Sequence, residues 1–89
     1  MKAVITVTGK DSVGIIAKVA TACAEYDANI VDISQSVLQD YFAMIMLADI
    51  DGMTIDFSLF VDKLAELGRA QGLEIHTMHE DIFNTMHHI

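Results

Sequence analysis

The chain has 89 residues and is 53% hydrophobic, with neither proline nor tryptophan, a composition that argues against disorder and low-complexity segments. At this length we expect one domain, spanning residues 1–89. The net charge of −8, from 13 acidic and 5 basic side chains, would repel phosphate backbones and disfavours nucleic acid as a partner.

The first half of the chain predicts a strand, a helix and a second strand. The β-branched segment Ala3–Thr8 ends at Gly9 and is typical of a strand, without the long apolar stretch and cleavage site of a secretion signal. Apolar side chains at helical spacing then predict a helix over Val13–Tyr26. Ile30–Gln39 alternates, and the face that begins with Ile30 is largely polar. We therefore expect this strand at the edge of a sheet.

The second half predicts a strand, a helix, a strand and a terminal helix. Tyr41–Ile50 is apolar on both faces, which predicts a central strand with one face that its own helices leave uncovered. A helical stripe over Phe57–Gly68 is expected to stop at Gly72. Leu73–Met78 predicts a fourth strand, and Glu80–Ile89 predicts a short terminal helix. This order predicts an α+β, ferredoxin-like βαββαβ plait, a four-stranded antiparallel sheet with two helices on one face and a short C-terminal helix.

The loop between the first strand and the first helix is the strongest candidate for a binding site. Its residues, Gly9–Gly14, lead into a helix N-terminus, where unpaired backbone N–H groups and the helix dipole favour a carboxylate or another anion. Either Asp11 or Ser12 would be the N-cap, and Gly14 would let a ligand approach the backbone. A purely structural interpretation is also open, since every helix needs a cap and a glycine can relieve packing against the sheet.

Asn29, at the predicted start of the second strand, is the other candidate. Its amide offers a donor and an acceptor, which suits recognition of the charged ends of an amino acid. Tolerance of left-handed backbone geometry would also explain an asparagine here. Within one plait this position is separated from the loop after the first strand, so we expect the two segments to act together only in a side-by-side dimer.

The two candidate segments together resemble a known family. Asp11-Ser12-Val13-Gly14-Ile15, followed by Asn29-Ile30, is similar to the ACT-domain pattern Asp-x-Pro-Gly-Ile/Leu, a helix, then Asn-Ile. ACT domains are amino-acid-sensing modules attached to many biosynthetic enzymes and to some regulators. Here a valine stands at the position where the family usually has proline.

The resemblance extends over nearly the whole chain when stand-alone, uncharacterised single-ACT-domain proteins of bacteria and archaea are considered. It is carried by the segments Lys2–Val7, Gly9–Asp11, Asp32–Val37 and Ile82–Phe83. In related domains the first-helix loop and the start of the second strand line an effector site at a dimer interface. The resemblance therefore implies a site for a small carboxylate or amino acid at Asp11, Ser12, Val13, Gly14, Ile15, Asn29 and Ile30.

Other functions of this fold lack their residues here. An acylphosphatase needs an arginine in the loop after the first strand, where this chain has Lys10, and a heavy-metal chaperone needs two cysteines there. An RNA-recognition motif needs a basic surface and an aromatic on the first strand. Cys23, the only cysteine, is expected to face the core. His76 and His79 are predicted on opposite faces of a strand, so they cannot share a metal ion and we predict no metal site. Since the residues of these other functions are missing as well, we also predict no cofactor and no catalysis.

Size and stability favour association of several copies. The chain has no cysteine pair to form a disulfide, and a domain this small gains stability readily by self-association. We predict a homo-oligomer, most simply a dimer, in the cytoplasm. The longest apolar run, Tyr41–Ala48, is far shorter than the roughly 18 residues that a membrane helix needs. The predicted function is an amino-acid-sensing regulatory module with an unknown regulated protein as partner, and the alternative is an interaction or oligomerisation domain with a vestigial pocket.

Overall fold

A computed structural model describes residues 1–10 and 14–86, and within them it contains four strands and three helices. In chain order these are β1 (Lys2–Lys10), α1 (Ile15–Glu25), β2 (Asn29–Leu38), β3 (Tyr41–Asp49), α2 (Phe57–Ala70), β4 (Glu74–His79) and α3 (Glu80–Met86). The predicted order of elements and the predicted ferredoxin-like fold are confirmed. No helix in this described part of the chain is long and apolar enough to cross a membrane.

The sheet has the strand order β2-β3-β1-β4, and every neighbouring pair is antiparallel. The two central strands are therefore β1 and β3, and β2 and β4 are the edges, as the apolar pattern of β3 and the mixed pattern of β2 predict. At one end of the sheet Lys10 of β1 pairs with Tyr41 of β3, and at the other end Lys2 pairs with Asp49. These two ends decide where the candidate residues lie.

The core lies between the sheet and the first two helices. On this face Ile5 of β1 stands opposite Met46 of β3, and both side chains are fully buried. The helices contribute to the same cluster through Ile15, Val19, Cys23, Phe60 and Leu64. The predicted inward orientation of Cys23 is confirmed, and burial raises the pKa of its thiol to about 11.

Helix α2 packs on β4 at a glycine. A Cβ atom on Gly68 would lie 2.9 Å from the carbonyl oxygen of Leu73 and 3.2 Å from the amide nitrogen of Ile75. The predicted stop at Gly72 is also confirmed, because this residue follows the end of α2 with a left-handed φ of 72°. The helix therefore turns sharply into β4 and lies directly against it.

The other face of the sheet is only partly covered. Tyr41 and Ile45 of β3 point to this face and are exposed, as the doubly apolar pattern predicts. Val4 lies on the same face but is buried, and α3 contacts β1 and β4. The terminal helix thus lies against the part of the sheet formed by β1 and β4 and leaves the β3 residues open.

A bulge in β2 changes one predicted side-chain direction. Ile30 pairs with Ala48 and Asp32 pairs with Leu47, so Val31 is an extra residue between two consecutive pairs. Strict alternation placed Ile30 on the largely polar face with Asp32, and this is wrong. The bulge returns Ile30 to the helix-covered face, where it packs against the core.

Candidate functional site

The site begins at the N-terminus of α1, where Gly14 is the N-cap. The expectation that Asp11 or Ser12 occupies the N-cap position is therefore wrong; the side chains of these two residues and Val13 lie outside the described residues. Within the described part of the chain no side chain caps α1, and its first turn holds no acidic residue. The first backbone N–H groups of α1 therefore have no side-chain acceptor among the described residues, and the positive end of the helix dipole is not neutralised there.

Gly14 is required by its backbone conformation and not by packing. Its φ is 82°, in the left-handed region that residues with a side chain rarely adopt. A Cβ atom on Gly14 would meet nothing within 4 Å of the described atoms. The packing interpretation of this glycine is therefore wrong, and the space beside it is open to a ligand.

A cavity of about 330 Å³ lies beside this helix end. Its walls are the start of α1, the second half of β2 and one residue of β3, namely Gly14, Ile15, Ile16, Gln35, Ser36, Val37 and Phe42. Ligand pockets are usually apolar with a few polar groups, and volumes of about 300 Å³ are at the lower end of their range. The apolar walls, together with the Gln35 amide and the α1 N–H groups that no described side chain accepts from, suit a small polar molecule with one apolar part.

Asn29 and Ile30 lie at the opposite end of the sheet from this cavity. Asn29 pairs with Asp49, at the same end as Lys2, whereas Gly14 follows the Lys10 end. The eight steps from Lys2 to Lys10 span about 26 Å. One chain therefore brings Gly14 and Ile15 together, but it does not bring Asn29 and Ile30 to them.

The structure also rules out one of the two interpretations of Asn29. The left-handed residue after α1 is Asp27, with a φ of 58°, and Asn29 is an extended residue of β2. The left-handed interpretation of Asn29 is therefore wrong. Its side chain is exposed, and no residue among 1–10 and 14–86 forms a hydrogen bond with it. Ile30 differs, because its side chain packs against the core and leaves only its backbone for a ligand.

The sequence analysis missed the four wall residues that β2 and β3 contribute, namely Gln35, Ser36, Val37 and Phe42, and it also missed Ile16 of α1. Alternation assigned the first three to an edge strand without a functional role. Only their position in the fold indicates a role in the cavity. Phe42 pairs with Val37 across the β2–β3 hairpin, and the loop after β1 lies at the same end of the sheet. The pairing register, which the sequence alone does not contain, is what brings them beside Gly14.

The two histidines considered above, His76 and His79, are separate from this cavity. His76 is exposed with its Nε2 atom 3.7 Å from Glu74, and His79 stacks on Phe57 with the ring centroids 3.9 Å apart. The two rings lie on opposite faces of β4, because their partners on β1 are Thr6 and Ala3. Among residues 1–10 and 14–86 no group of three His, Cys, Asp or Glu side chains has the arrangement of a metal site.

Comparison with known proteins agrees with this geometry. Residues 2–78 match the family model described as the ACT domain. A UPF0237 protein of Clostridium acetobutylicum is 47% identical over 89 residues, which is 100% of both chains. A UPF0237 protein of Methanosarcina acetivorans is 44% identical over 86 residues, which is 97% of this chain and 94% of the relative. The solved structure of an ACT domain protein from Streptococcus pneumoniae superposes with a TM-score of 0.81 at 40% identity and covers 93% of each chain.

Proposed function

This chain belongs to the ACT-domain family, and on that premise we propose that it is an amino-acid-sensing regulatory module that acts as a homodimer without catalysis. ACT domains are regulatory ligand-binding modules. The proposed effector site consists of the residues predicted from the sequence and the five further wall residues: Asp11, Ser12, Val13, Gly14, Ile15, Ile16, Asn29, Ile30, Gln35, Ser36, Val37 and Phe42. We place the protein in the cytoplasm.

The proposal is carried by the N-terminus of α1, which lies beside a cavity and which no side chain of residues 1–10 and 14–86 caps. The first N–H groups of a helix bind anions, and an α-carboxylate is the anion that every amino acid provides. The Gln35 amide lies on the helix-covered side of β2, in the wall of the same cavity, and offers polar contacts for the rest of the ligand. The apolar walls from Ile15, Val37 and Phe42 suit an aliphatic side chain, so we expect a small apolar amino acid to bind best.

The edge strand β2 supports the dimer. Val31, Ile33 and Val37 are exposed apolar side chains on a strand whose outer backbone groups pair with no other strand of the described residues. Antiparallel pairing of β2 with the β2 of a second copy, about a two-fold axis near Ser34, satisfies these groups. The same axis brings the start of one β2, with Asn29, to the end of the other, beside the cavity. Each of the two sites would then contain residues from both protomers.

A thermal melt with each of the twenty amino acids tests the ligand. A ligand at 100 times its Kd stabilises the folded state by about 2.7 kcal/mol, which raises the Tm of a domain of this size by roughly 10 to 20 °C. An increase in Tm with one or a few amino acids is the expected result. If none of them raises the Tm while the protein remains dimeric, the oligomerisation domain with a vestigial pocket is the better account.

A matched pair of lysine substitutions tests the dimer. Ile33 is 39% exposed beside the proposed two-fold axis, and Leu59 is 44% exposed on α2, away from β2. Ile33→Lys places two positive charges next to each other across the interface, so we expect a monomer that has lost the ligand-induced shift. Leu59→Lys adds the same charge and should keep both properties. A monomeric Ile33→Lys variant with a full ligand shift would show that the site needs only one chain.

A further inference from the structure

The second edge of the sheet, β4, also has unpaired backbone groups. The described sheet ends at β4, which pairs with β1 alone. The Thr6 hydroxyl donates a hydrogen bond to the carbonyl oxygen of His76 at 3.4 Å, so the backbone of His76 faces β1. Alternate residues of an antiparallel strand present their N–H and C=O groups to opposite sides. Ile75 and Thr77 therefore direct theirs to the free side of the sheet.

A groove runs along this free edge between β4 and α2, with a volume of about 380 Å³. Its helix wall is a stripe of residues four apart, Val61, Ala65 and Arg69, in which the short Ala65 side chain is the middle member. Its strand wall includes the helix-side residues Ile75 and Thr77. An edge strand beside a parallel groove has the two features that bind an extended peptide. Its outward N–H and C=O groups can hydrogen-bond to the peptide backbone, and the groove can accept alternate side chains of the peptide.

Thr77 gives independent support for a ligand. Its side chain is only 9% exposed, and Oγ1 is buried without a hydrogen-bond partner among the described residues. A buried hydroxyl without a partner destabilises the fold, and valine has the same shape without that cost. Thr77 is one of the residues that line the groove, so a polar group that enters the groove beside it can satisfy the hydroxyl.

We propose that this groove binds an extended, lysine- or arginine-bearing segment of a partner protein, which adds to β4 as a fifth strand. The segment pairs with the outward backbone groups of Ile75 and Thr77, inserts aliphatic side chains above Ala65, and provides the acceptor or donor that Thr77 lacks. Its outward-pointing side chains are basic because the chain carries 13 acidic against 5 basic side chains, and such a field attracts a cationic partner.

A second copy of β4 fits the groove less well than a bare segment. The inward side chains of β4, Ile75 and Thr77, are buried in their own domain beneath α2. A second copy would therefore bring its own α2 to the position where the groove must accept side chains. A segment without a covering helix has both of its faces available, which is why we commit to it.

The test uses a labelled octapeptide in which lysine and valine alternate, and a control peptide in which lysine and proline alternate. Both carry the same charge, but the proline peptide has lost every second N–H donor. Fluorescence anisotropy should show saturable binding of the first peptide alone, and NMR should show protection of the Ile75 and Thr77 amides. Equal binding of both peptides, no binding of either, or amide changes confined to residues 29–38 would overturn the proposal.

Two substitutions in the groove and one outside it complete the experiment. Ala65→Arg fills the groove, and Ala17→Arg adds the same charge on the exposed side of α1. We expect about tenfold weaker binding for Ala65→Arg and for Thr77→Val, and unchanged binding for Ala17→Arg. Thr77→Val adds no bulk and keeps the fold if Ala65→Arg does not. Unchanged binding by a folded Thr77→Val variant, or Ile75 amide protection that rises with protein concentration without peptide, would contradict the proposal.

Discussion

Substitution of Gly14 separates backbone strain from ligand contact. The residue has a φ of 82°, and no described atom lies within 4 Å of the position that a Cβ would take. A left-handed conformation costs an L-residue with a Cβ roughly 1–2 kcal/mol, but asparagine adopts it at lower cost because its side chain bonds locally. Gly14→Ala should therefore lower the free energy of unfolding by about 1–2 kcal/mol, and Gly14→Asn should lower it by less.

The two substitutions should differ in stability but agree in ligand binding. For a domain of this size, 1 kcal/mol corresponds to a change in Tm of about 4–8 °C. Both side chains enter the space beside the α1 N-terminus, so both variants should lose the amino-acid-induced shift. Denaturant unfolding gives the stabilities, and melts with the effector give the binding. If Gly14→Ala is as stable as the unsubstituted protein, the left-handed assignment is refuted; if Gly14→Asn keeps full binding, the ligand does not approach this glycine.

Three further changes test the core and the β4 edge. Gly68→Ala should lower the free energy of unfolding by about 1 kcal/mol, because a Cβ atom 2.9 Å from the Leu73 carbonyl oxygen costs more than the gain in helix propensity. Gly52→Ala is the control, since its Cβ would meet nothing closer than 4.0 Å, and it should be near neutral. Denaturant unfolding measures both. Thr77→Val should raise the unfolding midpoint by removing an unpaired buried hydroxyl, and a lower midpoint would show that the hydroxyl is satisfied. Cys23 should resist thiol reagents at pH 8. The free energy of unfolding should fall as pH rises from about 9 towards about 11, because only the thiol of the unfolded chain ionises in that window. Cys23→Ala should remove this part of the pH dependence.

The fold could be predicted because its periodicities are clear. The change from period two to helical spacing and back locates each element within a few residues, and the doubly apolar β3 correctly predicts a central strand. The errors arose where one residue alters the backbone. Val31 is inserted as a bulge directly after Ile30, another β-branched apolar residue, so the sequence gives no sign that Ile30 has changed face.

The N-cap was mispredicted for a related reason. Asp11 and Ser12 are favoured capping residues, and local preference selects them over a glycine. The structure uses Gly14 instead, whose left-handed conformation sets the direction from which the chain enters α1. A helix that begins at Ile15 leaves its first N–H groups without a side-chain acceptor in the described part of the chain. The misprediction thus concealed the feature that most favours an anion at this end of the helix.

The separation of Gly14 from Asn29 has a consequence for regulation. These residues lie at opposite ends of α1, so one folded domain does not bring them together. The proposed two-fold axis through the β2 edge would bring them together twice, once at each site. A ligand that contacts both protomers binds the dimer better than the monomer. By linkage, the factor by which dimerisation strengthens ligand binding is also the factor by which the ligand strengthens the dimer. Effector concentration would therefore control the population of dimer, and the assembly itself would report the amino acid to a partner bound at β4.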